Sequence, residues 1–192
     1  MPRINSIAVF CGSRFGTNPA HTAATRLLGQ GLARAGIRLV YGAGRVGLMG
    51  VLADAVLEAG GTVLGVIPEF LKRWEVAHEG VEMIVTDSMH DRKRRMFEES
   101  DAFLSMPGGI GTLDETIEII SWRQLRLHSK PILICDVEGS AAPLTAMLRA
   151  TIASGFAAPE THEFYEIIAG VPAVLDRLVE LPTREGGPAD RL

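Results

Sequence analysis

The chain has 192 residues, a 47% hydrophobic composition and a formal net charge of −4, which fits one soluble α/β-sized domain with a full core and argues against broad nucleic-acid binding. No apolar run approaches the roughly 20 residues that span a bilayer, and Met1-Pro2-Arg3-Ile4-Asn5 leads into a strand without a signal-peptide pattern. A cytoplasmic protein with neither membrane nor nucleic-acid partners is expected.

Ser6 to Cys11 reads as a first strand, followed by Gly12-Ser13-Arg14 and a helix from Pro19 to Ala35 with a proline start. Arg38 to Tyr41 is a second strand, and Gly42-Ala-Gly-Arg-Val-Gly-Leu-Met-Gly50 opens a helix through Ala59 that Gly60-Gly61 stops. Thr62 to Ile67 is a third strand closed by Pro68, with a polar stretch from Glu69 to Gly80 behind it. Glu82 to Val85 gives a fourth strand, Met89 to Ser100 a helix and Ala102 to Met106 a fifth strand; Leu113 to Leu125 then carries apolar residues at helical spacing. Pro131 to Cys135, a helix over Ala142 to Ala153, a short strand over Phe164 to Ile168 and a helix over Pro172 to Leu181 complete the series. Residues 1–182 are expected to form one domain and residues 183–192 a mobile tail.

Strands alternating with helices predict an open, mostly parallel sheet with helices on both faces. In such sheets ligands gather at the carboxyl ends of the strands, near a switch in strand order. The glycine-rich turns all follow strands, so Cys11-Gly12-Ser13, Gly42 to Gly50 and Pro107 to Thr112 are expected along one edge.

Pro107-Gly108-Gly109-Ile110-Gly111-Thr112-Leu113-Asp114-Glu115 joins a strand to a helix through three glycines. Glycine permits φ > 0 and lets a ligand approach the main chain, and the leading N–H groups of the helix favour an anion such as phosphate. Thr112-x-x-Glu115 also fits a capping box, a purely structural reading of the glutamate. Gly42-x-Gly44-x-x-Gly47 matches a dinucleotide fingerprint only formally: it is not in the first βα unit and lacks a well-placed acidic residue about 20 positions on.

Met89-His-Asp-Arg-Lys-Arg-Arg-Met96-Phe97-Glu-Glu carries four consecutive basic residues. Helical spacing puts Arg94 and Arg95 opposite the Met89, Met96 and Phe97 stripe, where Glu98 and Glu99 pair with them. Arg92 and Lys93 instead flank the stripe, and a cation there needs an anionic partner, either an acidic side chain or a ligand phosphate. Glu115, Ile119 and Trp122 share one face of the later helix, with Trp122 read as core or as pocket wall. Cys11 and Cys135 have no CxxC or Cys/His spacing and the five histidines no ligand spacing, so reduced thiols and no metal are expected.

Three segments together, Tyr41 to Gly50, Met89-His-Asp-Arg-Lys93 and Pro107 to Glu115, with Cys11-Gly12-Ser13, resemble the Lonely-guy family, long mislabelled as lysine decarboxylases. The resemblance implies a Rossmann-like nucleotide hydrolase, without cofactor, that releases the base from a cytokinin riboside 5′-monophosphate or from AMP. It also implies at least a dimer with sites completed near the subunit interface. Arg92 and Glu115 match the family's catalytic pair; Gly12, Ser13, Lys93, Gly108, Gly109, Gly111 and Thr112 fall at nucleotide-contacting positions, and Glu75 matches a substrate-contacting glutamate after a one-residue gap. Met89 and Trp122 are candidates for a base or prenyl pocket. Ala43 replaces a usual glycine and Asp114 a usual glutamate. Two other readings stay open: a non-catalytic nucleotide or nucleotide-cofactor carrier, and a decarboxylase that needs a cofactor-linked lysine, for which only Lys72, Lys93 and Lys130 are available.

Overall fold

The computed structural model describes residues 4–73, 78 and 80–181. Apolar runs of four to six residues form seven strands: β1 (Ser6–Phe10), β2 (Arg38–Tyr41), β3 (Val63–Pro68), β4 (Glu82–Thr86), β5 (Ala102–Ser105), β6 (Ile132–Asp136) and β7 (Glu166–Ala169). They build one sheet in the order β4-β3-β2-β1-β5-β6-β7 with every neighbouring pair parallel. The helices between them are α1 (Pro19–Ala35), α2 (Gly47–Glu58), α3 (Met89–Glu98), α4 (Ile110–Gln124), α5 (Ala142–Ala153) and α6 (Gly170–Glu180). The expected α/β architecture is therefore the observed one, with helices on both faces.

Alternation along each strand explains the two cores. Ile7 and Val9 of β1, with Leu39 and Tyr41 of β2, face a cluster that also takes Leu28, Leu32, Leu52 and Val174. Their neighbours Ala8, Phe10 and Val40 face the other way, against Met96, Phe97, Ile119 and Leu148. Both faces are dry, and this is why the central strands read as unbroken apolar runs and not as alternating ones. The strand order reverses between β1 and β5, and there the β1–α1 and β5–α4 connections leave the sheet on opposite sides of one crevice.

The structure differs from the sequence reading at several element ends, two of which matter here. α4 starts at Ile110 with Gly109 as its N-cap and no side-chain cap bond, so the capping box Thr112-x-x-Glu115 does not form. Thr112 lies inside the first turn, its side chain packed under Gly108, where an added Cβ would meet the Thr112 hydroxyl oxygen at 2.1 Å. Nor does the turn use left-handed glycines: the positive-φ glycines lie elsewhere among the described residues. The last strand begins two residues after Phe164, because a 3-10 turn over Pro159–Glu163 occupies the approach to it. The tail expected over residues 183–192 lies outside the described residues.

Candidate active site

Three connections are stitched together at the switch point. The N–H of Gly12 donates to Pro107 O at 3.1 Å, and the N–H groups of Leu48 and Met49 donate to Gly12 O at 3.0 and 3.3 Å. The second pair matters for the β2–α2 turn, because the first amides of α2 are consumed by another loop and do not face a ligand. The dinucleotide-like glycine pattern is thus a packing device here.

α4 behaves differently. Its first intrahelical bond runs from Leu113 N–H to Gly109 O at 3.1 Å, so the amides of Ile110, Gly111 and Thr112 lead the helix ahead of that bond. An added Cβ on Gly109 or Gly111 would meet nothing within 4 Å. These two glycines leave the main chain open on the pocket side, and the leading amides with the helix dipole favour an anion there.

A pocket of about 140 Å³ lies over this turn, lined by Cys11, Ser13, Met49, Arg92, Gly109, Ile110, Gly111, Thr112 and Glu115. Ser13, Gly109 and Ile110 also border a larger crevice of about 630 Å³ whose walls include Gly12, Arg14, Phe15, Thr17, His21, Gly108 and Ser140. Most of the expected site residues therefore converge from three separate stretches of chain.

Arg92 is buried to 6% exposure. Its Nε donates to Val66 O at 3.2 Å and its Nη2 to Gly42 O at 3.3 Å, while Nη1 lies 3.9 Å from both Met89 Sδ and Glu115 Oε1. Two carbonyls, one just past β2 and one within β3, thus aim the third nitrogen at the pocket. The distance to Glu115 is too long for a hydrogen bond and leaves the two groups bracketing a point between α3 and α4. Gly42 is required for this: an added Cβ would stand 2.0 Å from Arg92 Nη2. The neighbouring Ala43 is held at φ 62, a left-handed conformation that costs a non-glycine residue about 1–2 kcal/mol, and such strain concentrates at functional sites.

Cys11 forms part of the pocket floor; the sequence reading set it on this edge with Gly12-Ser13 but gave it no part in the site. Burial and then the nearby Glu115 carboxylate push its thiol far above the usual range, so it is a neutral wall and not a nucleophile. Cys135 is also a free, buried thiol, pushed up to about 11 chiefly by burial. Among the described residues no group of acidic, histidine or cysteine side chains could hold a metal ion.

Other expected residues are placed differently. Lys93 faces Asp114 and Glu118, at 2.6 and 3.2 Å, and is absent from the lining of both cavities; of its two expected partners, the acidic side chain is the one found. Trp122 stands edge-on to Phe97 at 5.5 Å, half-buried against the core, and is absent from the lining of both cavities. Met89 stays at the site through its contact with Arg92. Arg94 and Arg95 pair with Glu98 and Glu99 on the surface as expected. Glu75 lies outside the described residues.

Comparison with known proteins gives a consistent result. A family model described as "Possible lysine decarboxylase" matches residues 49–178. A rice protein named probable cytokinin riboside 5′-monophosphate phosphoribohydrolase is 41% identical over 189 residues, covering 98% of this chain and 76% of its own. The cytokinin riboside 5′-monophosphate phosphoribohydrolase of Rhodococcoides fascians is 43% identical over 163 residues, covering 84% and 82%. Among solved structures, the molybdenum cofactor binding protein of Rippkaea orientalis superposes with a TM-score of 0.68 at 22% identity, covering 92% of this chain and 96% of that one. The molybdenum cofactor carrier protein of Chlamydomonas reinhardtii does so at 0.67 and 21%, covering 93% and 100%. These structural likenesses concern the fold.

Proposed function

The chain belongs to the Lonely-guy family of cytokinin riboside 5′-monophosphate phosphoribohydrolases, and from that premise we propose that it hydrolyses the N-glycosidic bond of adenine-type nucleoside 5′-monophosphates, prenylated or plain. The observation that carries the reading is the pairing of Arg92 and Glu115 across a small pocket floored by the leading turn of α4. A binding protein needs the anion-favouring turn; it has no need of a carboxylate set beside it.

In the proposed reaction the C1′–N bond breaks, the departing base keeps the electron pair and takes up a proton, and water adds its hydroxyl to C1′ to give ribose 5-phosphate. Positive charge develops on the sugar and negative charge on the base, as in other glycoside cleavages. The amides of Gly109 to Thr112, with Ser13, hold the 5′-phosphate and convert its binding energy into alignment at C1′. Glu115 orients the sugar hydroxyls or the attacking water and stabilises the cationic sugar. Arg92, fixed by the Gly42 and Val66 carbonyls, offers Nη1 to the charge that leaves with the base. Met89, beside Arg92 Nη1 at 3.9 Å though outside the lining of both cavities, is the apolar residue proposed to meet the base or prenyl group. Ile110 is 82% exposed and Leu113 is also exposed beside the site, which supports a dimer that covers them.

Decarboxylation of lysine does not fit these residues. Lys72 pairs with Glu69, Lys93 with two carboxylates, and the buried Lys130 donates to Phe97 O; none of the three lines either cavity. A nucleotide-cofactor carrier is favoured by one feature, the 630 Å³ crevice beyond the catalytic pair. Incubation with AMP and with isopentenyladenosine monophosphate, followed by chromatography, separates the readings. Free base from either supports the hydrolase; intact nucleotide that co-elutes with the protein supports the carrier.

A further inference from the structure

α3 presents two adjacent cations, Arg92 and Lys93, to three carboxylates on α4: Asp114, Glu115 and Glu118. Asp114 and Glu118 are i,i+4 neighbours, so they share one face of α4, and Lys93 Nζ stands between them at 2.6 and 3.2 Å. Glu115 is one residue on from Asp114 and turns toward Arg92. The Lys93 side chain is 15% exposed, those of Glu118 and Asp114 24% and 58%, so the Glu118 pair lies in the seam and the Asp114 pair at its solvent edge. Burial lowers the Lys93 pKa and its two carboxylate partners raise it; the net shift is upward.

Space decides between ligand and scaffold for this lysine. The gap that Lys93 shares with Glu115, Glu118, Phe10 and Phe97 holds about 10 Å³, room for about one water molecule at most, and no phosphate fits there. To reach a phosphate over Gly109 to Thr112 the ammonium would have to leave both carboxylates partly desolvated.

On the hydrolase reading above, we infer that Lys93 is a positioning residue and not a nucleotide ligand: by clamping Asp114 and Glu118 it fixes the rotation of α4 against α3, and so sets Glu115 opposite Arg92. Asp114, where a glutamate is usual, belongs to this clamp, its shorter arm reaching Nζ directly. A displacement of about 1 Å at a reacting group can cost up to roughly a hundredfold in rate, so the clamp acts on turnover.

The test uses Lys93→Met, Lys93→Arg, the double variant Asp114→Asn/Glu118→Gln and the triple combination with Lys93→Met, assayed for base release from AMP or its prenylated form. The clamp predicts that Lys93→Met lowers kcat about tenfold or more while KM moves less than about threefold, that Lys93→Arg restores most of the loss, that the carboxylate double variant is impaired in the same way, and that the triple variant is no worse than either. Direct phosphate contact predicts the opposite sign for the double variant, because a freed ammonium would bind nucleotide more tightly, together with a raised KM at unchanged kcat for Lys93→Met; that pattern overturns the inference. If the wild type releases no base, the hydrolase reading fails by itself, and AMP titration of the same variants still decides the role of Lys93. Tighter binding by Asp114→Asn/Glu118→Gln overturns the clamp; binding unchanged or weakened in step with Lys93→Met upholds it.

Discussion

The β2–α2 and β5–α4 turns look alike in sequence, each a strand followed by three glycines and a helix, yet they do opposite work. In the first, the amides of Leu48 and Met49 are spent on the Gly12 carbonyl, and the place of a Gly42 side chain is filled by Arg92. In the second, Gly109 and Gly111 face open space and the leading amides of α4 border the pocket. A glycine-rich turn is therefore a wall or a site according to what already occupies its amides. The wall has its own function, since it aims the guanidinium that faces Glu115.

Substitution by alanine at matched positions tests this contrast most strongly. Gly42→Ala should displace Arg92 and lower kcat/KM about a hundredfold, with an overpacking cost of about 1–3 kcal/mol in denaturant unfolding. Gly109→Ala should leave stability within about 0.5 kcal/mol and weaken monophosphate binding about tenfold, read by titration. Equal stability losses at the two positions would erase the distinction.

A second, smaller effect concerns how the wall tolerates Ala43. An added Cβ on Gly65 would lie 2.7 Å from the Ala43 Cβ, so alanine is accepted at 43 because residue 65 is glycine. Gly65→Ala should cost about 2 kcal/mol, and Ala43→Gly should recover about 1 kcal/mol of it, a coupling that a double-mutant cycle measures. Additive effects would place the strain elsewhere.

The smallest expected effect is a control far from both turns. Arg177 holds Glu166 through two hydrogen bonds of 2.7 and 2.8 Å, and these bonds, outweighing partial burial, hold the Glu166 carboxyl below its ordinary pKa. A lowered folded-state pKa means stability that is present above the ordinary carboxylate value and lost as pH falls through the folded one. Glu166→Gln should therefore melt below the wild type at neutral pH, with the gap closing under about pH 4 and catalysis unaffected.

Much of the fold was legible in the sequence because each central strand is buried on both faces and flanked by glycine or proline, as Arg38 to Tyr41 and Ala102 to Met106 illustrate. The start of α4 was not, since Thr112-x-x-Glu115 satisfies a local capping rule that the packing of Thr112 under Gly108 overrides. The need for anionic partners at Arg92 and Lys93 could be read from their places beside the Met89, Met96 and Phe97 stripe. Which partner each took could not, because α3 meets α4 and the Gly42 carbonyl only through the tertiary fold. Cys11 and Met49 were placed on the ligand edge but not named as lining for the same reason, and Trp122, on the expected stripe, packs half-buried against Phe97.

The central claim, that Glu115 acts on the sugar and is not merely a structural member of α4, is tested most directly by measuring AMP binding and base release in Glu115→Gln. Binding within about threefold of wild type, with release reduced about a hundredfold or more, is the expected result. Release at the wild-type rate, accompanied only by a lower melting temperature, would contradict it.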